Sequence, residues 1–375
     1  MARPRPRDDL ATLTGYHSPQ LSVDVRLNTN EAPEAPPPAF TAAVQEALAD
    51  LEWHRYPDRG AWELRRAIAR LHGRSAEHVF CANGSNEVLQ TVVLAFAGAG
   101  RTVATFEPTY AMHGHIARIS GATTVAGHRN EDFTLDLERV ADLIDTSRPS
   151  VVFLCSPNNP TGTVETEASI SSVLAMVEAA DGLLVVDEAY GQFSPWSALS
   201  LLDEERSLVV TRTFSKTWAM AGARLGYLLG PTWLVAELDK VVLPYHLDAV
   251  KQRAGLVALD FVEAMEQRVA AIVEERGRLQ VALTALGATV WPSGANFILF
   301  RPPAERGLEG QTVWERLVER SVLVRNTSSW EGLDGCLRVT VGTKDDNDRF
   351  LDALTDTLDR SRGAPTSRPP GTETG

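Results

Sequence analysis

Lys216 is the residue in this chain best suited to covalent chemistry. It sits in the stretch TRTFSKTWAMAGARLGY, residues 211–227, and is one of four lysines, with Lys240, Lys251 and Lys344. An apolar run precedes it (Leu208, Val209, Val210) and a mostly small-residue stretch, 219–223, follows it. A charge placed there needs a reason. A primary amine forms a Schiff base with an aldehyde, which a guanidinium does not do under ordinary conditions. Thr213, Ser215 and Arg224 add hydroxyls and a fixed positive charge, which suit a phosphate. An aldehyde that carries a phosphate describes pyridoxal 5′-phosphate (PLP). A surface lysine beside a turn would show the same local sequence, so the reading rests on what else the chain supplies.

It supplies a set of polar residues, each directly after an apolar run. Asp187 follows the run 183–186, one strand before Lys216. An acid against the pyridine nitrogen of PLP keeps the ring protonated and makes it a better electron sink. A helix cap or a turn would explain the same aspartate. Asn159 in SPNNPTG and Tyr190 in DEAY can donate hydrogen bonds to the PLP phenolate, although NNPTG is a turn in any case. Tyr110 in EPTY offers a flat face for the pyridine ring, where an ordinary core aromatic would also fit. In CANGSNE, Ser85 and Asn86 stand at a helix start, where backbone N–H groups and the helix dipole favour an anion. Ser and Asn are also common N-caps. Arg338 lies inside the apolar strand CLRVTVGT, where a cation needs a partner such as a substrate carboxylate. Arg325 closes the strand VLVRN, and an internal ion pair would serve it as well as a ligand.

The elements that must position these residues alternate. Short continuous apolar runs at 102–106, 151–155, 183–186 and 208–210 read as strands covered on both faces. Helical patterns at 87–97, 137–143 and 168–179 lie before or between them, which predicts an α/β fold with a mostly parallel sheet. Open parallel sheets place ligands at the carboxyl ends of their strands. Four such ends, EPTY, SPNNPTG, DEAY and TRTFSK, therefore converge on one site. Ahead of this region, 40–51 and 61–72 read as helices, and a loop-rich arm carries Tyr16 and LNTNEAP. After Pro244 and Tyr245 a long helical stretch, 250–286, leads into strand-like runs at 295–300, 322–324 and 337–341 and a helix at 312–320. That pattern predicts a smaller α+β domain. The expected division is an arm (1–40) docking on the small domain and a partner subunit, a large PLP-binding domain (41–245), a small C-terminal domain (246–360) and a disordered tail (361–375).

Bulk properties narrow the function classes. The 375 residues include 44% apolar and 23% charged residues, which are ordinary for a globular protein. The net charge of −13 argues against nucleic acid or an anionic membrane as partner. Cys81, Cys155 and Cys336 are odd in number and lack metal-ligand spacing, so no metal is expected and buried thiols in a reducing cytoplasm fit. The N-terminus has no apolar core of a signal peptide, and no run of 18 apolar residues exists.

The ordered set NxNE, RYPD, GSNE, EPTY, SPNNPTG, DEAY, TRTFSK with AGARLGY, SGANF and LRVTVGT resembles the fold-type-I PLP-dependent aminotransferases. Within them it is similar to the histidinol-phosphate aminotransferases, over roughly residues 9–360. The resemblance implies a large domain with a seven-stranded sheet between helices, and a homodimer with the active site at the subunit interface. It implies that Lys216 is the Schiff-base lysine and proton shuttle, that Asp187 holds the pyridine nitrogen, and that Asn159 and Tyr190 hold the phenolate. Ser85, Asn86, Thr213, Ser215 and Arg224 would hold the cofactor phosphate, and Tyr56 would reach the cofactor of the partner subunit. Arg338 would take the α-carboxylate of glutamate or 2-oxoglutarate. Tyr16, Asn159 and Arg325 lie where the family contacts substrate, and Arg325 would help with a substrate phosphate. The chain reads NEAPEA where the family commonly reads NENPY or similar, a difference that bears on substrate choice and leaves the cofactor chemistry alone. The implied reaction is ping-pong transamination between L-histidinol phosphate and 2-oxoglutarate. An aromatic amino acid aminotransferase, a threonine-phosphate decarboxylase and a non-catalytic PLP-binding regulator are the alternatives, the last disfavoured by the lack of a helix-turn-helix extension or basic tail.

Overall fold

The computed structural model describes residues 3–5, 7–10, 13, 15, 20–303 and 309–360. Its first part runs β1 (Val25–Leu27), α1 (Pro38–Ala49), α2 (Trp62–Leu71), β2 (Val79–Ala82), α3 (Ser85–Phe96), β3 (Thr102–Glu107), α4 (Met112–Ile119) and β4 (Thr123–His128). It continues with α5 (Leu137–Ser147), β5 (Val151–Cys155), α6 (Glu167–Ala179), β6 (Leu183–Asp187), β7 (Leu208–Thr213) and β8 (Gly226–Leu229). The chain then forms α7 (Thr232–Val241), α8 (Ala249–Leu259), α9 (Val262–Ala285), β9 (Thr289–Val290), β10 (Phe297–Arg301), α10 (Gly310–Glu319), β11 (Val322–Asn326), β12 (Leu337–Thr340) and α11 (Lys344–Arg360).

Seven strands form one sheet in the order β2-β8-β7-β6-β5-β3-β4. The pairs from β4 across to β7 are parallel, and β8 is antiparallel to both its neighbours. The apolar runs explain this burial. Val152, Leu154, Leu184, Val186, Leu208 and Val210 enter the core on one sheet face. Val151, Phe153, Leu183, Val185 and Val209 enter the core on the other. Side chains alternate faces along a strand, so a strand with helices on both sides must be apolar at every position. The expected α/β architecture with a mostly parallel seven-stranded sheet is therefore present.

A second sheet has the order β1-β11-β12-β10-β9. Here β1, from the arm, pairs in parallel with β11, and the other pairs are antiparallel. Phe297, Phe300, Val324 and Val339 share its core with Phe350, Leu354 and Leu358 of α11.

The structure adds elements that the sequence reading did not mark, among them β1, β2, β8, β9, α4 and α7, and three further differences have a clear physical cause. The stretch 250–286 is two helices. The chain turns at Asp260 and Phe261, where Phe261 leaves helical geometry and packs edge-on against Phe40 of α1 at 5.7 Å. The strand β4 was hidden because it is a half-exposed edge strand, TTVAGH, with no continuous apolar run. The helix α11 was hidden by its charge, although its buried residues fall at helical spacing.

Candidate active site

The carboxyl ends of β3, β5, β6 and β7 open into a cavity of about 730 Å³. Ser85, Asn86, Tyr110, Asn159, Asp187, Tyr190, Thr213, Ser215, Lys216, Arg224, Arg325 and Arg338 all line it. Among the described residues singled out in the sequence, one does not join them. Tyr56 is 80% exposed and stacks on Tyr245 with ring centroids 4.5 Å apart. Tyr16 lies outside the described residues.

One end of the cavity is a cup built from backbone and cations. Gly84 starts α3 with φ +81 and has no side chain to cap the helix, so the first-turn N–H groups face the cup. β8 passes very close to this turn. A Cβ on Gly226 would meet Ser85 N at 2.4 Å, so only glycine fits. Arg224 sits in the left-handed region, φ +53, which brings its guanidinium over Gly84. Its Nη1 donates to Ser215 Oγ at 3.3 Å, and Thr213 Oγ1 donates to the same oxygen at 3.0 Å. Helix-start amides, two hydroxyls and a guanidinium fit the phosphate of PLP.

Asp187 ends β6 and is 1% exposed. Its Oδ1 accepts from Thr211 Oγ1 and Ala189 N, each at 3.1 Å. Its Oδ2 lies 3.1 Å from His113 Nε2, which donates to it. His113 is fully buried and stacks on Phe153 at 4.6 Å. Sequence reasoning missed His113; its signal was its position three residues after Tyr110, on the buried face of α4 with Ile116 and Ala117. A carboxylate fixed in this way and facing the cavity fits a protonated pyridine nitrogen.

Lys216 follows β7 and points its amine into the same space. Nζ donates to Thr29 O at 3.1 Å and lies 5.8 Å from the Tyr190 ring centroid. Burial, then the Arg338 and Arg224 charges, pull its pKa down to about 7, against the opposing pull of Glu31. Near neutral pH a large share of the amine is therefore unprotonated and nucleophilic. Tyr190 Oη accepts from Asn30 Nδ2 at 3.0 Å, and burial pushes its phenol up to about 12.

The arm enters the site at LNTN. Asn28 O accepts from Arg338 Nη2 at 3.0 Å, and Thr29 O takes the lysine. Asn30 is held in a left-handed conformation, φ +55, by two bonds with Thr340 Oγ1, each 3.0 Å. Sequence reading marked the run but not Asn30 individually. Arg338 also donates through Nη1 to Asn159 Oδ1 and lies 5.1 Å over the Phe297 ring.

The profile of the family described as "Aminotransferase class I and II" matches residues 22–354. The chain belongs to this family. Among its relatives, the histidinol-phosphate aminotransferase of Frankia casuarinae is 44% identical over 364 residues, covering 94% of this chain and 90% of that one. The histidinol-phosphate aminotransferase of Streptomyces avermitilis is 43% identical, covering 93% and 95%. The crystal structure of histidinol-phosphate aminotransferase from Sinorhizobium meliloti, in complex with pyridoxal 5′-phosphate, shares the fold. Its TM-score is 0.86 at 23% identity, covering 96% of this chain and 99% of that one. Among the described residues no group of three or more His, Cys, Asp and Glu side chains is placed to hold a metal ion, and no helix is long and apolar enough to cross a membrane.

The depressed lysine gives a direct prediction. With only four lysines, reductively ¹³C-methylated protein gives few signals in an NMR titration. In cofactor-free protein, Lys216 should titrate near pH 7, with the amine charged below and neutral above. Arg338→Gln should move that midpoint upward, because the arginine is one of the charges holding it down. A Lys216 midpoint near the ordinary 10.5 would contradict the electrostatic account.

Proposed function

We propose that this chain is a PLP-dependent aminotransferase that interconverts L-histidinol phosphate plus 2-oxoglutarate with imidazole acetol phosphate plus L-glutamate, a step of histidine biosynthesis. Two lines of support meet: the identity to relatives of that name over nearly the whole chain, and a cavity lined by a lysine of lowered pKa, a phosphate cup and a fixed aspartate. PLP supplies an aldehyde that takes up the amino group and a ring that spreads the charge left when the α-proton departs.

The chain supplies the rest. Lys216 would take the proton from the substrate α-carbon and deliver it to the cofactor carbon that carried the aldehyde, a role that its pKa near 7 suits. Asp187, backed by His113, holds a proton on the ring nitrogen. Ser85, Asn86, Thr213, Ser215 and Arg224 hold the cofactor phosphate. Tyr110 stacks on the ring, and Asn159 and Tyr190 serve the phenolate oxygen. Arg338 takes the α-carboxylate, while Asn159, Arg325 and Tyr16 contact substrate.

We further propose a cytoplasmic homodimer in which Tyr56 reaches the partner's cofactor phosphate. The exposure of Tyr56, away from its own cavity, favours that role. The three cysteines are unpaired and buried, which suits a reducing compartment. A fully active monomer in sedimentation would contradict the dimer. The proposed units are the arm (1–40), the large (41–245) and the small (246–360) unit, and the tail (361–375) lies outside the described residues. The packing of α8 against α1 and α2 favours a second boundary nearer α9.

A competing reading is an aromatic amino acid aminotransferase. Titrating the PLP-loaded protein separately with L-histidinol phosphate and L-phenylalanine, without keto acid, decides between them. Histidinol phosphate should bleach the visible band at far lower concentration and yield imidazole acetol phosphate. An equal or better response to phenylalanine would overturn the biosynthetic reading.

A further inference from the structure

Two like charges lie side by side in the cavity wall. Arg325 on β11 and Arg338 on β12 are register partners in an antiparallel pair, so their side chains leave the same sheet face, and both line the cavity. Directly opposed like charges repel. The structure gives each its own aromatic face. Arg338 lies over Phe297, and the Arg325 guanidinium lies 5.4 Å from the ring centroid of Trp330.

Trp330 is itself a cavity residue on a firm seat. It packs against the buried cluster of Phe133, Leu299, Leu333 and Cys336. Its loop connects β11 to β12 and reaches the larger unit, where Glu331 lies 3.4 Å from His128 at the end of β4. Trp330 therefore stands where the two units meet over the site.

We propose that Trp330 is a positioning residue that sets the charge of the substrate. It holds Arg325 as a second cation apart from Arg338, so the site prefers ligands with two negative charges, a dicarboxylate or a phosphate monoester dianion, over ligands with one. The proposal rests on the aminotransferase reading above. Indole is the strongest aromatic partner for a guanidinium. An arginine already laid on that face has given up its rotamer freedom before the ligand arrives, so less is lost on binding. With Lys216, Arg224 and Asp187 committed to the cofactor, the charged lining that is left is Arg118, Arg325 and Arg338 against Glu31, which suits a dianion.

The test uses PLP-loaded protein and two ligands that lack both amine and carbonyl and so cannot react. These are glutarate, a dicarboxylate, and 3-phenylpropanoate, an aromatic monocarboxylate, with dissociation constants measured by calorimetry. Trp330→Leu keeps apolar bulk in the cluster but removes the π face. It should weaken glutarate roughly tenfold and leave 3-phenylpropanoate within about twofold, as expected for a partly desolvated cation–π contact. Trp330→Phe should restore glutarate binding to within about threefold. Arg325→Gln should match the loss in Trp330→Leu, and the double variant should lose little more, because both act through one contact. Unchanged glutarate affinity in Trp330→Leu, an equal loss of both ligands, or additive losses in the double variant would overturn the proposal. If the wild-type protein binds glutarate with the stated preference but turns over no amino donor, the functional reading fails while the charge preference stands.

Discussion

A lysine amine buried among arginines is the constraint on which the rest of the structure depends. Lys216 shares its cavity with Arg224 and Arg338, and burial with these charges pulls it toward neutrality. A solvated lysine would be a protonated, inert cation. This one is poised because the fold withdraws it from bulk water and surrounds it with charges of its own sign. The arrangement is costly for an isolated chain and sensible for one that binds an anionic cofactor and anionic substrates. Each arginine then has a task besides tuning the lysine: Arg224 completes a phosphate cup, and Arg338 reaches across from the smaller sheet.

That constraint orders the architecture. Bringing Asp187, Asn159, Tyr110 and Lys216 to one point takes four strands that end on the same side, which a parallel sheet provides and a meander does not. A parallel sheet must be covered on both faces, so β5 is apolar along its length, and β6 and β7 are apolar until the polar residues at their carboxyl ends. The second sheet brings Arg338, and the arm strand β1 at its edge carries LNTN into the site. The arm therefore belongs to the chemistry: its backbone carbonyls at Asn28 and Thr29 accept from Arg338 and Lys216.

How legible this was depended on periodicity. The central strands and their polar ends stood out because two-sided burial leaves an uninterrupted apolar run. The cup was legible in GSNE and in the TRTFSK stretch with Arg224, since glycine and short hydroxyl side chains mark close backbone approach. Other parts carried no such mark. His113 acts through Asp187 from a helix whose buried face a local pattern does not reveal. Asn30 is one polar residue in a loop, and its left-handed geometry is set by Thr340, 310 residues away. The edge strand β4 is too polar to read as a strand, and the break between α8 and α9 follows from one tertiary contact of Phe261. Trp330 gains meaning only once β11 and β12 are seen to oppose two arginines.

The most direct test of the central claim is to find where the cofactor attaches. PLP-loaded protein would be reduced with borohydride, digested, and mapped by tandem mass spectrometry over all four lysines. The account predicts a single pyridoxyl-modified peptide, with the label on Lys216. A label on Lys240, Lys251 or Lys344 instead, or no label on Lys216, would contradict it.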